Sequence, residues 1–205
     1  MTTLRMHNFF PGVCPLLGPS LLAWVQGCPK NCIRCFNQGT LDENGSARLM
    51  TPRELATESA RCGGALVLSG GEPFSQSKGL AETCQLVRES RPDARILVYS
   101  GYYLHELRQG NRDDWNALLS QVDVLVDGPY DYSRATDLPL AGSDNQSVYL
   151  LTDRVRVEEL QALDRAHVQV SFAEGQIRIV GSGSRGTDMH GLMKRLRAQG
   201  IVIDI

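Results

Sequence analysis

The sequence lacks any apolar run near the roughly 20 residues that a membrane-spanning helix needs. Its first ten residues include Arg5 and His7 but no apolar stretch long enough for a secretory signal. The formal net charge is only −2, which gives no general attraction for nucleic acid or for an anionic membrane surface. These absences predict a cytoplasmic protein that binds neither nucleic acid nor membrane.

The sequence also lacks internal repeats, low-complexity tracts and any shift in composition that would mark a linker. Its 205 residues suit one domain of ordinary size, long enough to bury its own core. We therefore predict a single domain over residues 1–205. The core of that domain is expected at about 9–151, with a C-terminal extension at about 152–205.

Strand and helix signals alternate along most of the chain. Thr51-Pro52-Arg53-Glu54 is typical of a helix start, with Thr51 as N-cap and Glu54 completing a capping box. The helix that starts at this cap is predicted to run to about Arg61. The other predicted helices are Ser77–Ser90, a stretch that ends in Asp114–Leu119, and Glu158–Asp164. The predicted strands are Leu21–Val25, Ala65–Leu68, Arg95–Tyr99, Val122–Val126 and Ser147–Leu151.

This alternation favours an α/β fold with right-handed βαβ units and a mainly parallel sheet. Five or six units are too few for a closed eight-fold barrel of about 250 residues, so an open or partial barrel fits better. The last part of the chain predicts an extension made of an antiparallel hairpin and a helix. Its elements are strands His167–Phe172 and Gln176–Val180, helix Asp188–Gln199 and a final strand Ile201–Ile203.

Three of the six cysteines, Cys28, Cys32 and Cys35, follow the first predicted strand with the spacing C-x3-C-x2-C. Three disulfides are a weak alternative, because a secreted disulfide scaffold is normally shorter and richer in cysteine. Thiolates favour iron–sulfur clusters or zinc. Structural zinc needs four ligands, and no second Cys/His pair lies nearby to complete the set.

The absence of a fourth cysteine in this loop has a chemical meaning. A cubane cluster has four irons, so three thiolates leave one iron with an open position for a reacting ligand. The open alternative is a zinc site or three unrelated thiols. Among the other cysteines, Cys62 and Cys84 are expected to be free thiols in helices, and Cys14 is undecided.

Four further polar segments follow predicted strands or precede one, where ligand sites of such sheets lie. Ser69-Gly70-Gly71-Glu72-Pro73 follows the second strand, and by itself it could be a plain turn. Asp127 ends a buried strand, where an acidic residue needs a partner, although a helix or turn cap is the alternative. Ser100 follows the third strand. Asn145 and Gln146 lie in a polar turn before Ser147–Leu151.

Taken in order, these motifs resemble the radical S-adenosylmethionine superfamily. Within it the resemblance is strongest to the activating proteins of glycyl-radical enzymes, and in particular to the small activases of anaerobic ribonucleotide reductase. It rests on the cysteine loop running into Phe36-Asn37, on the Ser-Gly-Gly-Glu-Pro segment, on the strand ending at Asp127-Gly128-Pro129-Tyr130, and on the Gly-Ser-x-Asn-Gln turn.

The resemblance implies a partial (β/α)6-type open barrel with a mainly parallel sheet. It implies that Cys28, Cys32 and Cys35 hold a 4Fe–4S cluster with one open iron, and that this iron binds S-adenosylmethionine. One electron from flavodoxin or ferredoxin would then give a 5′-deoxyadenosyl radical, which would take a hydrogen atom from a glycine of a partner enzyme. The implied cofactor-binding residues are Gly70, Gly71, Glu72, Pro73, Ser100, Asp127 and Asn145.

Two other functions stay open from the sequence. The chain has Leu22 where such activases usually have arginine, and it continues beyond the smallest of them. Both features are compatible with radical chemistry on a small molecule or peptide instead of a protein. The other alternative is a non-enzymatic iron–sulfur or zinc binding module. The four histidines lie outside the motifs, and no general acid or base is expected in the radical step.

Overall fold

The computed structural model describes residues 2–163, 168–173 and 176–181, together with residue 198. The described chain is organised around a seven-stranded mixed sheet with the order β3-β1-β2-β4-β5-β6-β7. Its strands are β1 Leu4–Cys14, β2 Gly18–Val25, β3 Arg48–Met50, β4 Ala65–Gly70, β5 Ile96–Tyr99, β6 Val124–Asp127 and β7 Ser147–Leu150. The four central strands, β2, β4, β5 and β6, run parallel to one another.

The edges of the sheet differ from the prediction. The N-terminal segment forms β1, which pairs antiparallel with both β2 and β3. Sequence patterning missed β1 because its pairing register shifts between Met6 and Asn8, which interrupts the alternation of buried and exposed residues. Strand β7 was found where it was predicted, but it runs antiparallel to β6.

The antiparallel β7 has a physical cause. Parallel neighbours usually need a helical crossover between them. The chain between β6 and β7 contains only a short 3₁₀ helix, Tyr132–Arg134, and therefore returns directly beside β6. Within the described residues four strands are parallel, so the five or six βαβ units expected from the sequence are not reached. The curvature of a partial barrel stays a prediction.

Helices lie between successive parallel strands along the chain: α1 Pro52–Arg61, α2 Ser77–Ser90, α3 Leu104–Gln109 and α4 Asp113–Leu119. A further helix, α5 Val157–Gln161, follows β7. The predicted capping box at the start of α1 is confirmed: Glu54 N–H donates to Thr51 Oγ1 at 3.2 Å, and Thr51 N–H donates to Glu54 Oε2 at 2.7 Å. The predicted span Ser77–Ser90 is also confirmed, whereas α3 was not predicted.

The sheet separates two hydrophobic clusters because alternate residues of each strand point to opposite faces. In β5, Ile96 and Val98 face one cluster and Leu97 faces the other. The first cluster includes side chains of α1, α2 and α4, among them Leu55, Leu80 and Leu118, so these helices cover that face. The free thiol of Cys84 is buried in the same cluster, as expected for a cysteine packed as a small hydrophobe.

The C-terminal part forms a separate two-stranded antiparallel sheet, with β8 at Val168–Ala173 and β9 at Gln176–Gly181. The predicted final strand, Ile201–Ile203, lies outside the described residues, as does all of the predicted helix Asp188–Gln199 except residue 198. None of the helices in the described part of the chain combines the length and the apolar character that a membrane crossing requires.

Candidate functional site

The predicted site segments meet at one edge of the sheet. Carboxyl ends of parallel strands lie on the same side, and each of the four central strands ends in one of these segments. Strand β2 leads into the cysteine loop, β4 into residues 70–73, β5 into Ser100, and β6 ends at Asp127. The turn with Asn145 precedes β7, whose antiparallel direction brings its start to the same edge.

The cysteine loop is joined directly to the segment that follows β4. Gly71 N–H donates to Val25 O at 2.8 Å, and Glu72 N–H donates to Gly27 O at 2.8 Å. A Cβ on Gly71 would lie 2.1 Å from Gly27 O, a distance that no side chain tolerates. Gly70, with φ +98, has a backbone conformation that favours glycine. These two glycines therefore allow the end of β2 and the base of the cysteine loop to pack closely against the segment after β4.

The loop folds back on itself between its cysteines. Gly27 N–H and Cys28 N–H donate to Thr40 O and Leu41 O, which closes the base of the loop. Left-handed residues follow at Asn31, with φ 48, and at Arg34, with φ 56, one in each gap between successive cysteines. These reversals keep the chain between the three cysteines compact.

Backbone amides already point at the loop's sulfur atoms. Asn37 N–H donates to Cys35 Sγ at 3.4 Å, and Cys35 N–H donates to Cys32 O at 3.2 Å. Burial raises the pKa of the Cys28 and Cys35 thiols, while backbone hydrogen bonds to each sulfur act in the opposite direction. A negative Cys32 sulfur would raise both pKa values further, which shows that it lies within electrostatic reach of the other two.

The free thiols do not by themselves form a ready-made metal site. No group of three or more His, Cys, Asp or Glu side chains is placed to hold a metal ion within the residues that the structure describes. Metal ligation requires thiolates, so binding would release protons from thiols whose pKa values burial raises. The ligand set of three cysteines therefore stays a prediction.

Glu72 is fully buried and all of its contacts are internal. Its Oε1 accepts from Phe74 N–H at 2.9 Å and from Ser100 Oγ at 3.0 Å, and its Oε2 accepts from Gly101 N–H at 2.8 Å. Burial raises the pKa of this carboxyl to about 7, although these hydrogen bonds and nearby Lys30 oppose the shift. Glu72 thus ties the end of β4 to the end of β5.

Ser100 is the second predicted residue in this network. It is buried, its N–H donates to Val126 O at 2.9 Å, and its Oγ accepts from Tyr102 N–H at 3.0 Å while donating to Glu72. The structure therefore brings Ser100 and Glu72 together, as sequence order alone could not show. Both side chains hold the loops that surround the site.

Asp127 is also buried and fully engaged. Its Oδ2 accepts from Leu104 N–H, the first residue of α3, at 2.6 Å, and its Oδ1 accepts from Ser147 N–H at 3.2 Å. These contacts match the alternative interpretation of Asp127 as a cap, because they join β6, the start of α3 and the start of β7. A direct contact with a cofactor stays a prediction.

The polar turn before β7 is fixed to the segment after β6 by two amide side chains. Asn145 Nδ2 donates to Pro129 O at 2.8 Å, and Gln146 Nε2 donates to Gly128 O at 2.9 Å. Gln146 Oε1 accepts from Gly142 N–H and Ser143 N–H. In contrast, Asn145 Oδ1 is buried without a hydrogen-bond partner among the described residues.

Sequence reasoning missed the aromatic contacts of the cysteine loop. The Phe36 ring lies 4.8 Å from the Tyr130 ring, and the Arg34 guanidinium lies 4.4 Å from the centre of the Tyr132 ring. Both contacts join the loop to the segment that follows β6. Sequence reasoning also missed the contacts of Lys30 with Tyr102 and Glu106. The only signal in the sequence was the position of Lys30 between two of the cysteines.

A cavity of about 480 Å³ lies on another side of the loop base. Its lining includes Arg5, Gln26, Gly27, Gln76 and Lys78. None of the three cysteines contributes to it, and neither do Ser100, Asp127 or Asn145. This cavity is therefore distinct from the predicted site residues at the strand ends.

Comparison with known proteins gives a consistent result. A family model described as a 4Fe-4S single cluster domain matches residues 17–149. The anaerobic ribonucleoside-triphosphate reductase-activating protein of Vibrio cholerae is 32% identical over 160 residues, covering 73% of this chain and 99% of that protein. The proteins of the same name from Enterobacteria phage T4 and Haemophilus influenzae are 29% and 32% identical, each covered over 88% of its length.

Among solved structures, QueE from Escherichia coli aligns with 49% of this chain at a TM-score of 0.38 and 16% identity. A likeness at this level is too weak to support an inference. The family match spans the cysteine loop and every other candidate site residue.

Proposed function

We propose the chemistry of this site from one premise: the chain belongs to the 4Fe-4S single cluster domain family and, within it, to the anaerobic ribonucleoside-triphosphate reductase-activating proteins. It is a radical S-adenosylmethionine enzyme that installs a glycyl radical on a partner reductase. The observation that carries this function is the alignment with the Vibrio cholerae activating protein, which covers 99% of that protein's length.

Cys28, Cys32 and Cys35 are the proposed ligands of the 4Fe–4S cluster. Their loop follows β2, turns sharply between the cysteines and directs a backbone amide at Cys35 Sγ, features that suit thiolates around an inorganic core. When bound, the reduced cluster supplies the electron that cleaves the sulfonium carbon–sulfur bond of S-adenosylmethionine. Flavodoxin or ferredoxin is the proposed electron donor.

The proposed S-adenosylmethionine site lies at the strand ends beside this loop. Asn145 Oδ1, which is buried and has no partner in the described part of the chain, supports it, since a buried carbonyl oxygen without a donor is costly unless a bound group donates to it. Its orientation is fixed, because Pro129 O can only accept and must face the amide nitrogen. A hydroxyl or amino group of the cofactor is the proposed donor.

The remaining predicted residues have supporting parts in this proposal. Gly70, Gly71 and Pro73 shape the segment whose backbone carbonyls would accept from the methionine ammonium. Glu72 and Ser100 hold that segment in place through their mutual hydrogen bond, and Asp127 holds the end of β6. The chain's own task is to orient the cofactor and to exclude water around it.

The test begins with anaerobic reconstitution of the purified protein with iron and sulfide, followed by dithionite reduction with S-adenosylmethionine. Release of 5′-deoxyadenosine and methionine is expected. Addition of an anaerobic ribonucleotide reductase should then give a glycyl-radical signal in electron paramagnetic resonance. Cleavage without that signal would favour a small-molecule or peptide substrate, and no cleavage would favour a binding module. The cytoplasmic location stays a prediction.

Glu72 predicts a specific pH dependence of stability. Its pKa in the folded protein is about 7, above the ordinary value of 4.5, so the folded state binds this proton more tightly than the unfolded state. The contribution of Glu72 to the unfolding free energy is therefore fully present below about pH 4.5 and is lost as the pH rises to about 7. It amounts to at most about 3 kcal/mol, since one pKa unit is about 1.4 kcal/mol.

Urea unfolding of the apoprotein at pH 5 and at pH 7.5 measures this effect. Glu72→Gln removes the titrating group, so the difference in unfolding free energy between wild type and variant should shrink at the higher pH. All other titrating groups are common to both proteins and cancel. Parallel pH profiles of the two proteins would contradict the assignment of a raised pKa to Glu72.

A further inference from the structure

Lys30 lies between the first two cysteines of the loop and reaches the segment that follows β5. Its Nζ lies 3.8 Å from the centre of the Tyr102 ring and 3.8 Å from Glu106 Oε2. A cation over an aromatic face is attracted by the ring quadrupole, and the carboxylate adds a Coulomb attraction. The Lys30 side chain is 23% exposed, so both attractions are partly shielded from water.

Gly101 leaves the space through which this side chain passes. A Cβ on Gly101 would lie 2.9 Å from Lys30 Cγ and 3.4 Å from Glu72 Oε2. Gly101 does not have a left-handed φ, so its backbone conformation does not require glycine. The space taken by the Lys30 stem and the Glu72 carboxylate explains the absence of a side chain there.

The partners of Lys30 are held by contacts that do not involve the cysteine loop. The Tyr102 ring lies 4.8 Å from the Trp115 ring, and Trp115 Nε1 donates to Phe74 O at 3.0 Å. Glu106 Oε2 also accepts from Tyr103 N–H at 2.6 Å, at the start of α3. Lys30 therefore connects the loop to a surface that is ordered without it.

We propose that Lys30 is a positioning residue for the cluster-binding loop, acting through its contact with Tyr102 and Glu106, which we call the Lys30 latch. The latch holds the stretch between Cys28 and Cys32 against the segment after β5, so the loop keeps the shape that the cluster needs. It also keeps a positive charge beside the buried Glu72 carboxylate. This role rests on the proposed ligand set.

The test compares Lys30→Met, which keeps the stem but loses the charge, with Lys30→Arg, which keeps the charge, and with Tyr102→Leu. Lys78→Met is the matched control, because Lys78 is an exposed lysine in the first turn of α2. Hydrogen exchange of residues 28–36 in the reduced apoprotein should be roughly fivefold faster in Lys30→Met and Tyr102→Leu. It should stay near wild type in Lys30→Arg and Lys78→Met.

The reconstituted proteins give the readouts that a purely structural lysine would not move. Lys30→Met should lose iron to a chelator several times faster than wild type, and its cluster potential should shift to a more negative value, because a nearby positive charge is gone. Lys30→Arg should restore both. Unchanged exchange in Lys30→Met, or unchanged iron release and potential, overturns the proposal.

Failure of the proposed function would look different. If wild-type protein takes up no 4Fe–4S cluster, the three-cysteine ligand set is wrong. The exchange measurement on the apoprotein then still decides whether the Lys30 latch orders the loop. A wild-type protein that holds its cluster, alongside a Lys30→Met protein that matches it in every readout, removes the latch and leaves the function standing.

Discussion

Alanine in place of Cys28, Cys32 or Cys35 is expected to abolish both the iron–sulfur absorbance and the formation of 5′-deoxyadenosine. Each substitution removes one of three proposed ligands, and the loop offers no fourth cysteine to replace it. Changes in groups that only support a ligand already cost about 10–100-fold, so loss of a ligand should lower product formation by at least about 100-fold. Iron content, visible absorbance and nucleoside analysis under anaerobic conditions measure it.

Cys62→Ser is the matched control for these variants. Cys62 lies at the end of α1, partly exposed and away from the strand ends, and it should retain full cluster content and product formation. Cys84 is a poorer control because it is fully buried, and serine there would place a hydroxyl in the core. Full product formation by any one of the three alanine variants would remove that cysteine from the ligand set.

The second large effect is expected at Gly71. A methyl group there would lie 2.1 Å from Gly27 O, so Gly71→Ala must separate the segment after β4 from the base of the cysteine loop. Gly27 O is a backbone atom and cannot move aside as a flexible side chain could. The loss of unfolding free energy should therefore exceed the roughly 1–3 kcal/mol that ordinary overpacking costs. We expect a lower unfolding free energy together with loss of cluster uptake.

Gly18→Ala separates this clash from a general effect of replacing glycine. Gly18 has φ +79, and a Cβ added there would meet no atom within 4 Å, so alanine should cost about 1–2 kcal/mol through backbone strain alone. It should still take up a cluster. Chemical denaturation and iron content of both variants decide the question, and a Gly71→Ala protein as stable and as iron-loaded as wild type would refute the contact.

Local signals predicted much of the secondary structure. The capping box at Thr51 and the helix Ser77–Ser90 were correct because their determinants lie within a few residues of one another. Strand β1 was not predicted, since its pairing with β2 and β3 depends on distant residues and its own alternation is interrupted. For the same reason the direction of β7 was not visible in its sequence.

The candidate site shows the same division. The cysteine spacing alone indicated iron–sulfur chemistry, because ligand number and type follow from the residues themselves. The sequence did not predict which groups the other polar residues of the site contact. Glu72 and Asp127 each have a side-chain carboxylate that could serve a ligand, yet in the structure both carboxylates accept backbone N–H groups from other elements.

The sequence by itself indicated the kind of chemistry, through three closely spaced cysteines without a fourth, and it predicted the alternation of strands and helices that places loops at strand ends. Only the tertiary structure decided which groups meet there. Lys30 reaches Tyr102, Gly71 abuts Gly27, and Asn145 Oδ1 has no donor among the residues that the structure describes. These are contacts between distant parts of the chain, which depend on packing and backbone direction and not on local composition.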